Sequence, residues 1–129
     1  MASFIGAPNI LECDHTRYLG QGLIEVSCGK LSILIPHVGE DVQRVSFFPR
    51  DVYVSPRKPP GPEVNRFKGI ISDIQTSWEL VRLTLAVKGT EIRAEMPRHI
   101  FEAMGLDKGQ EVFLILKLRR IKVYEKEQG

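Results

Sequence analysis

The sequence is poor in the residues from which chemical sites are built. Of 129 residues, two are cysteine, three histidine and one tryptophan. Two cysteines exclude a disulfide-stapled scaffold, and no charged-then-apolar leader opens the chain, so a reducing cytosol is the expected compartment. No apolar run approaches the roughly 18 residues of a membrane-spanning helix. Charge of one sign is also scarce: 18 basic against 16 acidic side chains leave a net +2, with the excess in the second half. That balance does not by itself imply a nucleic-acid surface. Catalytic patterns are missing as well. Gly29-Lys30 is not a phosphate loop, because Leu31 stands where Ser or Thr must hold magnesium and Ile24 replaces the first glycine. No Gly-x-Ser-x-Gly, His-Glu-x-x-His, Cys-x-x-Cys or Gly-x-Gly-x-x-Gly occurs. Acidic pairs such as Glu40-Asp41 fall at turns, where carboxylates are solvated. The expectation is a chain that is not an enzyme.

What is present reads as strands and turns. Apolar residues alternate over Leu23–Ser27, Leu31–Ile35, Val42–Phe48, Leu80–Val87 and Glu91–Met96, and shorter strands are expected at Ile10–His15 and Val52–Ser55. Helical spacing occurs once, between Met96 and Gln110. Ile100, Phe101 and Met104 share a face there, Pro97 suits the first helical position, and Gly105 suits the left-handed C′ position with Leu106 folding back. This segment is expected to plug a barrel. After Phe67–Ile74, the last strand region, Glu111–Tyr124, changes its period-2 phase at Arg119-Arg120, which predicts a bulge or a strand break.

The segment Pro56–Pro62 holds four prolines in seven residues, which excludes helix and interior strand and marks a stiff linker. On either side the plan repeats. Asn65 answers Asn9, Lys88-Gly89-Thr90 answers Cys28-Gly29-Lys30, and Pro97 answers Pro36. The expected fold is therefore mainly β, an OB-like β-barrel built from two related β-units with one short helix in the second. Its parts are a first β-unit at 1–56, a linker at 57–62 and a second β-unit at 63–129.

Candidate sites are few. Cys13, His15, Cys28 and His37 form a poor metal set. Cys13 and His15 would share a strand face and Cys28 could approach from a neighbouring strand. No Cys-x-x-Cys or His-x-x-x-His pair anchors them, however, and a buried cysteine is often only a small hydrophobe. Lys117, Arg119, Arg120 and Lys122 place four positive charges in six residues; this is either a charge-protected edge strand or an anion or partner site. Arg98-His99 sits at the helix start, where positive charge opposes the macrodipole and, with Asn65-Arg66, suits an oxyanion. Arg98 could equally pair with Glu95 or Glu102. Trp78, in a loop, reads as a packing or interface residue. An OB-like nucleic-acid binder using Lys117–Lys122 is the third reading, although no aromatic stacking platform accompanies it and no nucleic-acid partner is expected.

Several stretches resemble the TOBE or MOP-type domain, the small OB-like barrel attached to ATPase subunits of ABC importers. Asn65-Arg66-Phe67-Lys68-Gly69-Ile70-Ile71 is similar to its opening Asn-x-hydrophobic-x-Gly-x-Val. Met104-Gly105-Leu106-Asp107-Lys108-Gly109-Gln110-Glu111-Val112 is similar to its Leu-Gly-Leu-x-x-Gly-x-x-Val. Phe4–Asn9 resembles the Phe-Ile-Gly-x-x-Asn that follows the ATPase domain, so the chain looks cut from something longer. Phe48-Pro49-Arg50-Asp51-Val52 is similar to Arg-Pro-Glu-Asp-Val. The resemblance implies a non-catalytic, cytoplasmic accessory domain of an importer ATP-binding subunit, peripheral to the inner face of the membrane. Molybdate or tungstate is the implied cargo and possible ligand. The implied partners are the ATPase domain of the same subunit, a second copy in a homodimer and, indirectly, the membrane permease. Of the positions that bind oxyanion in the family, Asn65 and Lys117 match. Pro62–Val64, Pro97, Ile100, Leu118 and Arg119 differ. The candidate anion-binding set is Asn65, Lys117, Arg119 and Arg98, with no catalytic and no metal residues expected.

Overall fold

A computed structural model describes residues 7–36 and 41–125. The first unit contains β1 (Asn9–Glu12), β2 (His15–Gly20), β3 (Leu23–Cys28), β4 (Leu31–Pro36), β5 (Val42–Phe47) and β6 (Val52–Ser55). The second contains β7 (Arg66–Thr76), β8 (Leu80–Val87), β9 (Thr90–Pro97), α1 (Arg98–Met104), β10 (Glu111–Leu116) and β11 (Lys122–Glu125). The protein is mainly β with OB-like barrel character. Period-2 alternation decides which side chains turn inward. Ile24 and Val26 of β3 meet Ile33 and Ile35 of β4, and Leu83 and Leu85 of β8 meet Ile92 and Ala94 of β9, all fully buried.

Pairing ties the units together at their last strands. β6, from the first unit, pairs antiparallel with β10 of the second, with Val54 opposite Leu114. β11, from the second unit, pairs antiparallel with β5 of the first, with Val123 opposite Val45. The second-unit sheet runs β6-β10-β7-β8-β9. The first repeats that order as β11-β5-β1 and β2-β3-β4. The difference is one break. β7 is a single bent strand that pairs β10 at one end and β8 at the other, with its register shifting between Ile71 and Asp73. Its first-unit counterpart is interrupted at Cys13-Asp14 into β1 and β2. The Cys13 N–H still donates to Gln43 of β5 at 2.9 Å, and the Asp14 N–H donates to Ser27 of β3 at 2.7 Å.

The Asn9–Asn65 correspondence has a matching physical role. Asn65 Oδ1 accepts from the Leu34 N–H at 2.7 Å, and its Nδ2 donates to the Leu34 carbonyl at 2.8 Å. Asn9 makes the same pair of bonds with the N–H and carbonyl of Arg93, at 2.8 and 2.9 Å. Leu34 and Arg93 hold equivalent register positions in β4 and β9. Each unit therefore opens on a buried asparagine that takes up the open backbone edge of the other. The two hairpin turns correspond one residue away from the expected alignment. Gly29 matches Lys88 rather than Gly89, since Cys28 faces Leu31 and Val87 faces Thr90. Lys88 accepts φ +49° beside Gly89 at +79°, as a type I′ turn demands.

The helix is real but it is not a plug. Its seven residues include none that is buried; Phe101 and Met104 rest on the core from outside while Leu106 is buried. Pro97 is the N-cap rather than the first helical residue, and Gly105 ends the helix at φ +63°, its N–H donating to Phe101 and Glu102. The phase change near Arg119 is a strand break: Leu118–Arg120 forms one 3-10 turn between β10 and β11. β2 extends beyond the expected strand Ile10–His15 and has no counterpart in the alternation pattern, because its side chains are mostly exposed.

Candidate functional site

Three of the four expected anion-binding residues share one corner. The Asn65 carbonyl accepts from the Leu116 N–H at 2.9 Å, which sets Asn65 beside the end of β10. Lys117 follows, and the turn Leu118–Arg120 packs against β4, the strand whose Leu34 Asn65 holds. Lys117 and Arg119 are exposed and, among the described residues, take part in no ion pair. Arg120 lies 3.9 Å from the Asp51 carboxylate, so it is partly neutralised. Asn65 is buried and its φ is +51°, a conformation asparagine tolerates well. Its two bonds to Leu34 leave one amide hydrogen and one lone pair uncommitted. The corner can offer two exposed cations and one buried amide donor to an anion. The matching corner of the first unit carries Phe48-Pro49-Arg50, with the Arg50 guanidinium stacked 4.7 Å over the Phe48 ring. The basic character belongs to one corner of the two.

Arg98 lies elsewhere. It lines an open groove of about 580 Å³ with Trp78, Glu79, Leu80, Pro97, His99 and Glu102. Its guanidinium pairs with Glu102 at 3.5 Å, and its N–H donates to the Glu79 carbonyl at 2.8 Å. A backbone donor at the helix start is therefore already committed, which weakens the anion reading of that end. Trp78 is 89% exposed and lines the groove with the partly exposed Leu80. Of its two sequence readings, internal packing is excluded and a role at an interface remains.

Of the poor metal set, Cys13 and Cys28 are brought together, their sulfurs 3.1 Å apart. His15 is exposed at the head of β2, and His37 lies outside the described residues. Among the described residues, no three His, Cys, Asp or Glu side chains gather around a point that could hold a metal ion. The approach of Cys28 to Cys13 from a neighbouring strand, which the strand pattern allows, is the contact the structure contains.

No protein-family model matches the chain. Its sequence is similar over 96% of its length to the molybdate/tungstate import ATP-binding protein WtpC of Pyrococcus abyssi, at 27% identity. The same protein of Pyrococcus horikoshii matches at 29% over the same share. The chain covers 34% of each, so it spans about a third of the length of the curated relatives it matches. Among solved structures, it superposes on the cytoplasmic molybdate-binding protein ModG, crystallised with molybdate bound, at a TM-score of 0.64. The two share 17% identity, and the match covers 92% of this chain and 96% of that one. The fold is shared. The chain is homologous to part of an importer's ATP-binding subunit, in agreement with the resemblance read from its Asn65–Ile71 and Met104–Val112 stretches.

Proposed function

We propose that the chain is a non-catalytic accessory domain of an ABC importer ATP-binding subunit, in molybdate or tungstate uptake, that responds to the oxyanion at the Asn65–Lys117–Arg119 corner. The observation carrying this reading is the similarity along nearly the whole chain to a segment of the WtpC proteins, joined to a fold shared with a molybdate-binding protein. Further support comes from the two exposed cations beside a buried amide donor. In this reading the domain sits at the cytoplasmic face of the membrane and contacts the ATPase part of its own subunit. It pairs with a second copy and reaches the permease through the ATPase. Oxyanion on the corner biases that assembly and restrains transport when the anion is abundant. Calorimetry with molybdate, tungstate and sulfate tests the ligand: heats that saturate with molybdate or tungstate and shrink with added salt are expected, and silence at millimolar anion rejects the corner. ATP hydrolysis by the pure chain would reject the accessory role.

A further inference from the structure

The two units share a close approach that each fills differently. Where the opening strand of the second unit crosses the end of β8, Gly69 lies against Val87; a Cβ on Gly69 would come within 2.9 Å of Val87 Cγ2. The ladders place Cys13 and Cys28 at the equivalent positions of the first unit. Cys13 stands to Gln43 as Gly69 stands to Val112, and Cys28 faces Leu31 as Val87 faces Thr90. The fold brings two strands unusually near at this point, and the first unit has put a thiol on each.

We propose that Cys13 and Cys28 are a reversible thiol–disulfide pair that takes electrons from, or returns them to, low-molecular-weight thiols and disulfides. The sulfurs at 3.1 Å need to approach by only about 1 Å to reach the bonded distance. Two thiolates holding a tetrahedral zinc sit farther apart, about 3.8 Å, because each Zn–S bond is about 2.3 Å. Access is unequal: Cys13 is half-buried at the strand break, and Cys28 is buried. The contact with Cys28 holds the Cys13 thiol below its ordinary range, while Cys13 and burial push Cys28 upward. Cys13 is therefore the attacking sulfur. Its thiolate, having released its proton to solvent, attacks one sulfur of a small disulfide and expels the first thiolate, which takes up a proton. Cys28 then loses its proton, attacks the Cys13 sulfur of the mixed disulfide and expels the second. Two protein S–H bonds are replaced by one S–S bond, and one small disulfide becomes two thiols. The new bond spans the point where the chain leaves the β1-β5-β11 sheet for the β2-β3-β4 sheet. It thereby fastens the strand whose Asn9 grips the second unit.

The test uses excess oxidised glutathione followed by mass spectrometry under denaturing, acid-quenched conditions. Expected are loss of two hydrogens without an adduct, no covalent dimer, and full return on adding dithiothreitol. Cys28→Ser should instead retain one glutathione on Cys13, and Cys13→Ser should take up none. A stable glutathione adduct on the unaltered chain, a disulfide-linked dimer, or a Cys28→Ser chain whose one remaining thiol stays titratable after the same treatment would each overturn the proposal. Should Cys28→Ser not fold, brief alkylation of the native chain replaces it: label must reach Cys13 before Cys28, and the reverse order overturns it. The oxidised chain should melt higher than the reduced one, and an unchanged melting temperature rejects the fastening role.

Discussion

At the scale of single residues, the two asparagines do the joining. Each satisfies a backbone N–H and a carbonyl on the other unit, groups that would otherwise face a partly closed seam with no partner. Asn65→Ala removes both bonds and puts alanine at a positive φ, so a loss of roughly 2–4 kcal/mol is expected by urea unfolding. Asn9→Ala should cost roughly 1–3 kcal/mol by the first mechanism alone. Equal or negligible losses would contradict this account. Gly69 is constrained by space: a methyl there would meet Val87 Cγ2 at 2.9 Å, with the Ala86 carbonyl and Leu114 Cδ2 at 3.2 Å. Gly69→Ala should destabilise by about 1–3 kcal/mol, read as a lower midpoint at unchanged slope. The asparagine repeat was visible in the sequence, but its purpose was not. A side chain bonding to a distant backbone leaves no periodicity, and the resemblance implies only a ligand role for Asn65.

At the scale of elements, alternation located strands well wherever one face is buried. β6 and β8 match the expected Val52–Ser55 and Leu80–Val87, since their inward residues pack on the common core. The single helix and its stop at Gly105 were equally legible, because a left-handed C-cap needs glycine. Strand partners were not legible. Nothing in Val52–Ser55 or Lys122–Glu125 names the strand it will meet, and the repeat does not say which unit supplies each partner. The exchange predicts how the molecule comes apart. Ending the chain after Arg120 would remove β11, uncover Val45 and expose the β5 edge, inviting aggregation. Native-state hydrogen exchange should show β3 and β8 opening with the same free energy, as members of one cooperative unit. A first unit that opens several kcal/mol below the second would refute the coupling.

At the scale of the whole molecule, an approximate two-fold repeat carries a strong asymmetry of charge. Lys117 and Arg119 crown one corner, while the matching corner presents Phe48, Pro49 and an aromatic-stacked Arg50. Anion binding should therefore saturate at one oxyanion per chain. Lys117→Ala or Arg119→Ala should weaken it about 10–100-fold, the worth of a charged hydrogen bond. Arg98→Ala should leave affinity unaltered, because Arg98 lies in the Trp78 groove; equal weakening by all three would show that only net charge matters. The basic cluster was plain in the sequence. Which of its members share a corner was decided by the break at Leu118–Arg120, which separates Lys117 from Lys122, and by the placing of the helix away from both. The single tryptophan reports on assembly: its emission should be that of solvated indole in the isolated chain and shift to the blue if copies pair through the groove.

The crossing of β6 and β11 also sets a timetable for biosynthesis. The β1-β5-β11 sheet cannot be completed until the last strand has been made, so β5 waits through the synthesis of the whole second unit with one edge open. Contacts between β5 and β11 span most of the chain's length, and such distant pairings slow folding because a long loop must close before any bond repays it. The nascent first half is accordingly the state most exposed to mispairing. The charged Arg44 and the polar Gln43 and Ser46 on β5 are suited to keeping that waiting edge unattractive to other strands.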